Sequence, residues 1–172
     1  YIFGKKKGSG ESIWDIKNKI GYFTPSMVEK FSGHHTAITM LISVLTDSVG
    51  LYLRPTEVQL QLAKEWLKLI NMWELKDVYF HDLSMGQQRL LMTVRAMIKH
   101  PLLLILDEPT AGLDDKSATL FVALTNKIAQ ESKTAIIFVS HREEPGLRLQ
   151  YVFQLEYTEQ GSTGKIMGIP LG

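Results

Sequence analysis

The apolar run LLLIL at 102–106, followed directly by Asp107 and Glu108, constrains the fold of this chain more than any other feature. A continuous run of this kind is typical of a parallel strand that is buried on both faces. A helical pattern at 115–131 and a second apolar run at 135–139 come next along the chain. This order predicts a strand–helix–strand unit and therefore an α/β fold.

Helical spacing dominates the middle of the chain. Apolar residues recur at three- and four-residue steps over 36–50, 56–70 and 86–99, which predicts three amphipathic helices. Thr56 and Gln59 have the spacing of a capping box at the start of the second helix. The stripe that we expect this helix to bury is Val58, Leu62, Trp66, Leu69 and Ile70. The inward residues expected of the third helix are Leu90, Leu91, Val94, Met97 and Ile98.

Strand patterns come before and after this helical part of the chain. A β-like run at 20–23 comes before it, and after it two short runs around Gly161 predict a closing hairpin. We therefore expect residues 1–33 and 101–172 to form an α/β core. Residues 34–100 are expected to form a helical subdomain that is inserted into this core.

The charge balance and composition exclude some classes of protein. The 172 residues include 19 basic and 18 acidic side chains, so the formal net charge is +1. Proteins that bind nucleic acid or anionic membranes usually carry a clear basic excess, so neither is expected as the main partner. The chain has no cysteine, which excludes disulfides and thiolate metal sites. No stretch approaches the roughly 18 consecutive apolar residues that predict a membrane-spanning helix.

Candidate catalytic residues follow two of the predicted strands. Asp107 and Glu108 leave their strand at the edge where α/β folds place a ligand crevice. There Asp107 would hold Mg²⁺, and Glu108 would polarise an attacking water. His141 follows the next strand and would reach the same crevice. Each residue also has a simpler explanation, which is a solvated acidic turn for the carboxylates and an ordinary surface position for the histidine.

A second candidate site lies where the third helix begins, in the sequence LSMGQQR that starts at Leu83. A serine hydroxyl, a glycine and the free N–H groups of a helix N-terminus together suit a phosphate group. Ser84 would bind a terminal phosphate through its hydroxyl. Ser84 and Asp114 are also explained, each by itself, as N-caps of the helices that follow them.

The order of these segments along the chain is LSMGQQR, LLLILDEP, AGLD and VSH. The combination closely resembles the ABC ATPase family, in its signature, Walker B, D-loop and H-loop elements. The resemblance extends from about Ile20 onward. It implies a P-loop NTPase-like fold, an ATPase activity with ATP and Mg²⁺ as cofactors, and a second ABC ATPase domain as partner.

The resemblance also implies a role for each candidate residue. Asp107 would serve the Mg²⁺ site, Glu108 would be the catalytic carboxylate, and His141 would be the switch histidine. The residues implied to act on the nucleotide of the opposite domain in a head-to-tail pair are Ser84, Gly86 and Gln87. Asp114 would lie at the contact between the two domains.

Within the family, two stretches look like the tandem ATPases of molybdenum transport and photorepair. They are FGKKKGSGESIWDIKNKIGYFTPS and HDLSMGQQRLLMTVRAMIKHPLLLILDEP. The first hypothesis is thus the ATP-hydrolysing subunit of an ABC transporter, of molybdate-import type. It would be cytoplasmic or peripheral on the inner face of the cell membrane, with a membrane permease as partner. Two alternatives stay open, namely a soluble ABC-type ATPase in DNA repair or translation, and a non-catalytic interaction fragment.

The chain departs from the family pattern at three places. No segment matches the phosphate-binding loop G-x-x-x-x-G-K-S/T. The family has this loop upstream of the position of Tyr1, so we expect an N-terminally truncated domain that is inactive by itself. Met85 stands where the signature usually has glycine. The sequence TPS at 24–26 stands where the family usually has a glutamine that contacts Mg²⁺.

Overall fold

The structure, a computed structural model, places a three-stranded parallel sheet at the centre of the chain. It describes residues 4, 10, 12–31, 34–46, 54–159 and 161–168. The strands are β1 (Ile20–Phe23), β2 (Leu103–Asp107) and β3 (Ala135–Val139), in the order β1-β2-β3. The α/β class predicted from the sequence is confirmed, since helices separate these parallel strands along the chain.

Helices precede, separate and cover the strands. In the described ranges they are α1 (Ile13–Lys17), α2 (Ala37–Leu45), α3 (Glu57–Leu69), α4 (Met85–Met97) and α5 (Asp115–Glu131). Short 3₁₀ helices span Pro25–Lys30, Trp73–Leu75 and Phe80–Asp82. The α-helices begin after capping side chains, which are Ser12, Thr36, Thr56, Ser84 and Asp114. Each cap accepts a hydrogen bond from a first-turn N–H that has no partner within the helix.

Two of the helix predictions differ from the structure. The helix predicted over 36–50 begins as expected after Thr36 but ends at Leu45, and residues 47–50 lie outside the described residues. In α3 the capping box is confirmed, but Val58 is 78% exposed and Leu69 is also exposed. The face of α3 that is buried consists of Ala63, Leu67 and, just beyond its end, Ile70. Leu62 and Trp66 are half-buried and pack against the core, as predicted, so the prediction is wrong only for Val58 and Leu69.

Helix α4 is the central helix of the described structure. It packs on β1, β2, α2 and α5. The five residues predicted to point inward are all buried; they are Leu90, Leu91, Val94, Met97 and Ile98. Because α4 contacts both the sheet and the helical segment, one continuous apolar core joins the two. The division into residues 1–33, 34–100 and 101–172 stays a prediction.

The central strand β2 is covered unequally on its two faces. Leu104 and Leu106 are fully buried in the core that the helices share. On the other face Leu103 and Ile105 are only half-buried, and Ile137, the register partner of Ile105, is exposed. The expectation of burial on both faces is therefore wrong for the described residues, because the core that they form lies on one side of the sheet.

The last two strands form a separate antiparallel hairpin, as predicted. They are β4 (Tyr151–Thr158) and β5 (Gly161–Gly168), paired along their full length. Large apolar side chains on them are exposed, and Tyr157 reaches 90% exposure. No helix of the described ranges is both long and apolar enough to cross a membrane.

Close packing of β1 on α4 generates a stability prediction at Gly21. A Cβ at Gly21 would lie 2.6 Å from the carbonyl oxygen of Ala96 and 3.1 Å from Cδ1 of Leu104. We expect Gly21→Ala to lower the free energy of unfolding by about 1–3 kcal/mol, because the strand must move away from the helix. Gly168→Ala is the matched control, since its Cβ would meet only ordinary van der Waals contact. Urea denaturation measures both, and equal midpoints would contradict the prediction.

Candidate functional site

The C-terminal end of β2 carries the two predicted carboxylates in an unusual backbone conformation. Glu108 follows the strand with φ 49°, in the left-handed region that residues other than glycine rarely adopt. Its N–H donates to the carbonyl oxygen of Val139 at 3.0 Å, which holds the turn against the end of β3. Strained conformations of this kind are concentrated at functional sites, where the surrounding structure maintains them.

Glu108 and His141 are brought together by the pairing of β2 with β3. Nε2 of His141 lies 3.4 Å from Oε1 of Glu108. The histidine side chain is 94% exposed, whereas that of Glu108 is 25% exposed. Oε1 of Glu108 is buried and makes no hydrogen bond with the described residues, because the contact with His141 falls short of hydrogen-bond geometry. A buried carboxylate oxygen with an unused acceptor site can accept a hydrogen bond from a water molecule.

Asp107 faces the same edge of the sheet from the neighbouring position. Its Oδ2 accepts a hydrogen bond from the hydroxyl of Tyr22 in β1, at 3.3 Å. No group of three or more His, Asp or Glu side chains that could hold a metal ion occurs among the described residues. This donor set fits Mg²⁺ that is bound by one carboxylate together with phosphate oxygens and waters, as is usual for Mg²⁺ beside nucleotides.

A buried carboxylate, Glu144, connects the loop after β2 to the loop after β3. Its side chain is 3% exposed. Oε1 accepts hydrogen bonds from the hydroxyl of Thr110 at 2.5 Å, the hydroxyl of Ser140 at 3.0 Å and Nε of Arg142 at 3.2 Å. Arg142 also donates from Nη2 to the carbonyl oxygen of Thr110 at 3.3 Å. This network holds the residues on both sides of His141 against the segment that follows Glu108.

The same contacts determine the protonation of Glu144. Burial by itself would raise the pKa of the carboxyl group, but hydrogen bonds from Thr110, Arg142 and Ser140 and the charge of Arg142 outweigh it. The net result is a pKa below the usual value of a glutamate. Glu144 therefore stays ionised in the folded protein at pH values where an ordinary glutamate begins to be protonated.

The second predicted site lies at the N-terminus of α4. Ser84 and Gln87 form a reciprocal capping box, in which the Ser84 hydroxyl oxygen accepts from the Gln87 N–H at 3.3 Å and the Gln87 side chain accepts from the Ser84 N–H at 2.9 Å. The Ser84 hydroxyl hydrogen has no acceptor among the described residues, and the side chain is exposed. Ser84 can therefore cap α4 through its hydroxyl oxygen and still donate its hydroxyl hydrogen to another group.

Gly86 and Asp114 meet through Ser117, near the N-terminus of α5. A Cβ at Gly86 would lie 2.7 Å from the Ser117 hydroxyl oxygen, so only glycine allows α4 to approach this closely. Asp114 caps α5, accepting from the Ser117 N–H at 3.0 Å and from its hydroxyl at 2.7 Å. The Ser117 hydrogen bonds lower the pKa of Asp114. The predicted residues of this site therefore lie together on the described surface.

Arg89 joins the two sites. It is buried, and its Nη1 donates to the carbonyl oxygen of Pro109 at 2.7 Å, while Nη2 contacts Sδ of Met85 at 3.6 Å. Burial lowers the pKa of Arg89. The hydrogen bond connects the first turn of α4 to the segment that follows Glu108.

Sequence reasoning did not identify four of these residues, namely Tyr22, Arg89, Ser117 and Glu144. Tyr22 lies two residues into β1, and the pairing of β1 with β2 would have indicated its approach to Asp107. Glu144 lies three residues after His141 in an apparently polar loop, EEPG, and nothing in the pattern separates it from its exposed neighbour Glu143.

The fold is that of the ATP-binding cassettes of ABC transporters. The structure matches cbiO1 from Clostridium perfringens, part of the ABC transporter complex cbiONQ, with a TM-score of 0.66 and 26% identity, over 81% of this chain and 54% of that one. It also matches the ATP-binding cassette MJ0796, a post-hydrolysis dimer bound to ADP and Pi, with a TM-score of 0.60 and 22% identity, over 77% of this chain and 58% of that one.

The chain belongs to the ABC transporter family, whose model matches residues 3–111, more than half of its length. It is 41% identical over 144 residues to the ABC transporter ATP-binding protein ModF of Escherichia coli. That match covers 83% of this chain and 29% of ModF. The energy-coupling factor transporter ATP-binding protein EcfA of Carboxydothermus hydrogenoformans is 30% identical over 136 residues, 79% of this chain and 48% of EcfA. The chain thus spans less than half the length of either relative.

The depressed pKa of Glu144 generates a pH-dependent stability prediction. Removing its charge leaves the donors of Thr110, Ser140 and Arg142 without a charged acceptor, so Glu144→Gln is expected to lower the free energy of unfolding at pH 7 by about 1–3 kcal/mol. A carboxyl group with a lowered folded-state pKa stabilises the fold above its unfolded-state pKa, near 4.5. The difference from the unsubstituted protein is therefore expected to shrink as the pH falls from about 4.5 through the lower folded-state pKa.

Chemical denaturation at a series of pH values measures this effect. The matched control is Glu143→Gln, which makes the same change at an exposed neighbouring position. A loss of stability for Glu144→Gln that is constant from pH 7 to pH 3, or a loss equal to that of the control, would contradict the assigned network.

Proposed function

We propose that this chain is part of an ATP-hydrolysing ABC ATPase domain, which closes on a second such domain when ATP and Mg²⁺ bind. The observation that carries the proposal is the approach of His141 to within 3.4 Å of Glu108, whose buried Oε1 makes no hydrogen bond with the described residues. The carboxylate of Asp107 lies at the same strand end. Family membership supports ATP as the nucleotide.

The proposed chemistry assigns one task to each side chain at the strand ends. Oε1 of Glu108 accepts a hydrogen bond from the attacking water and orients it as general base. His141, exposed and beside Glu108, donates a hydrogen bond to the terminal phosphate. Asp107 supplies a carboxylate oxygen to Mg²⁺, and Tyr22 orients that carboxylate. Bound Mg²⁺ would neutralise phosphate charge during transfer.

In the proposal, the N-terminus of α4 acts on the nucleotide that the second domain holds. Ser84 donates its hydroxyl to the phosphate held by the opposite domain, and the N–H groups at Gly86 and Gln87 add to the positive end of the helix. Asp114 lies beside this site, through Ser117, and would contact the opposite domain. The arrangement in pairs is supported by the dimeric cassette MJ0796 among the structures with this fold.

The proposed partner that responds to the closure of the two ATPase domains is a membrane permease. The support is the likeness to ABC transporter ATP-binding proteins. Molybdate import is the finer part of the proposal and rests on the sequence stretches shared with ATPases of molybdenum transport. Binding to a membrane permease would place this chain on the cytoplasmic face of the cell membrane.

The absence of a phosphate-binding loop from the 172 residues generates a prediction for the chain by itself. The purified chain is expected to show no Mg²⁺-dependent release of phosphate from ATP, because no segment of its sequence matches the loop that surrounds the β- and γ-phosphates with backbone N–H groups and a lysine. A colorimetric phosphate assay measures this. Turnover that depends on Mg²⁺ would show that the chain holds ATP by another route.

The role of Glu108 is tested in a natural protein that contains this chain together with a phosphate-binding loop. Glu108→Gln is expected to lower kcat by about 10²–10⁴-fold while ATP binding is retained, because the amide cannot take the proton of the attacking water. Glu143→Gln is the matched control and is expected to keep full activity. An unchanged kcat for Glu108→Gln would remove Glu108 from the catalytic role.

A further inference from the structure

The position of His141 beside Glu108 is not fixed by contacts of its own side chain. The imidazole is 94% exposed, and its one polar contact among the described residues is the 3.4 Å approach of Nε2 to Oε1 of Glu108. An exposed side chain of this kind changes rotamer freely in water. The distance between the two side chains therefore depends on how the backbone at residue 141 is held.

Ser140 and Arg142 hold this backbone from both sides. The Ser140 hydroxyl oxygen accepts a hydrogen bond from the Arg142 N–H at 3.2 Å, which folds residues 140–142 into a turn with His141 at its apex. Both ends of the turn bind one atom, because the Ser140 hydroxyl and Nε of Arg142 donate to Oε1 of Glu144 at 3.0 and 3.2 Å. The turn that presents His141 is therefore anchored on a carboxylate that is only 3% exposed.

The same carboxylate oxygen binds the loop that carries Glu108. Thr110, which is fully buried, donates its hydroxyl to Oε1 of Glu144 at 2.5 Å. Thr110 follows Glu108 by two residues, and a hydrogen bond from the Ala111 N–H to the Glu108 carbonyl oxygen at 3.3 Å closes the turn around it. Arg142 adds a second connection, from Nη2 to the carbonyl oxygen of Thr110 at 3.3 Å. The loops that carry the two facing side chains thus share one buried anchor.

We propose that Glu144 is a positioning residue for ATP hydrolysis, which sets the distance between His141 and Glu108 through the two loops that carry them. The inference rests on the proposed function, because it takes His141 and Glu108 as the residues that act on the terminal phosphate and the attacking water. Glu144 does not itself contact the nucleotide in this role, since its side chain is buried and Oε1 already accepts three hydrogen bonds.

The charge of Glu144 is what the positioning role requires. A carboxylate accepts hydrogen bonds from a guanidinium and from hydroxyl groups more strongly than a neutral amide does. Glu144→Gln keeps the size of the side chain but weakens the attachment of both loops. A displacement of about 1 Å at a catalytic group can lower a rate by on the order of 10²-fold, so the rate of hydrolysis is sensitive to this attachment.

NMR spectroscopy tests the positioning step on the 172-residue chain without nucleotide. The Cε1–H signal of the His141 imidazole, assigned by its loss in His141→Gln, reports the contact with Glu108. Glu108→Gln is expected to shift this signal, because an amide replaces the carboxylate oxygen that lies 3.4 Å from Nε2. In a Glu144→Gln background the same substitution is expected to shift the signal at most about half as far. Equal shifts in the two backgrounds overturn the proposal, since His141 then meets Glu108 without the help of Glu144.

Kinetics test the consequence in a natural protein that contains this chain together with a phosphate-binding loop. Glu144→Gln is expected to lower kcat about 10- to 100-fold and to leave the KM for ATP within about twofold of its original value. In a His141→Ala background it is expected to lower kcat no further, because the residue that it positions is already absent. A loss of folded protein would instead lower kcat by the same factor in both backgrounds, and that result overturns the proposal.

One further variant and two controls keep the test decisive. If Glu144→Gln does not fold, as judged from its amide NMR spectrum, Thr110→Val removes one donor and leaves the carboxylate in place. It is expected to change the His141 signal and kcat in the same direction, and full kcat with an unchanged signal overturns the proposal. Glu143→Gln is the matched control, expected to change neither, since that side chain is exposed. An unchanged kcat for His141→Ala would overturn the proposed function itself, which distinguishes the two failures.

Discussion

The parallel pairing of β2 with β1 on one side and β3 on the other is the constraint on which the candidate site depends. Because the strands run in the same direction and in register, their C-terminal ends meet at one edge. That pairing brings Tyr22 to Asp107 and His141 to Glu108, although these residues come from three separate parts of the chain. A shift of register by one residue would turn alternate side chains to the other face and separate both pairs.

Hydrogen bonds of two buried side chains hold the loops at that edge. Glu144 receives three hydrogen bonds and connects the segments after β2 and β3, while Arg89 connects the start of α4 to Pro109. In each connection, hydrogen bonds hold a buried charged side chain. The removal of one partner would leave the other buried without that hydrogen bond, which costs the full desolvation free energy of the group. The loops next to Glu108 therefore have little freedom to move independently of α4.

Much of this architecture could be predicted from the sequence. The bounds of α5 and β3, the cap at Ser84 and the inward face of α4 depend on local patterns, and local patterns are visible in a single sequence. The buried face of α3 was predicted only in part, because helix spacing does not say which of several apolar rows meets a neighbour. Glu144, Ser117 and Arg89 were missed because their role depends on partners 20 or more residues away, or across a helix contact. Pairings of this kind become visible only when the chain is folded.

The uneven cover of the sheet has a practical consequence for work with this chain in solution. β3 has β2 on one side, and no other strand of the described residues pairs with its far edge. Its exposed Ile137 and Val139 lie beside main-chain groups that can extend the sheet with any strand that approaches. The far edge of β3 can therefore pair with a strand of another molecule, so we expect edge-to-edge association in concentrated solutions of this chain.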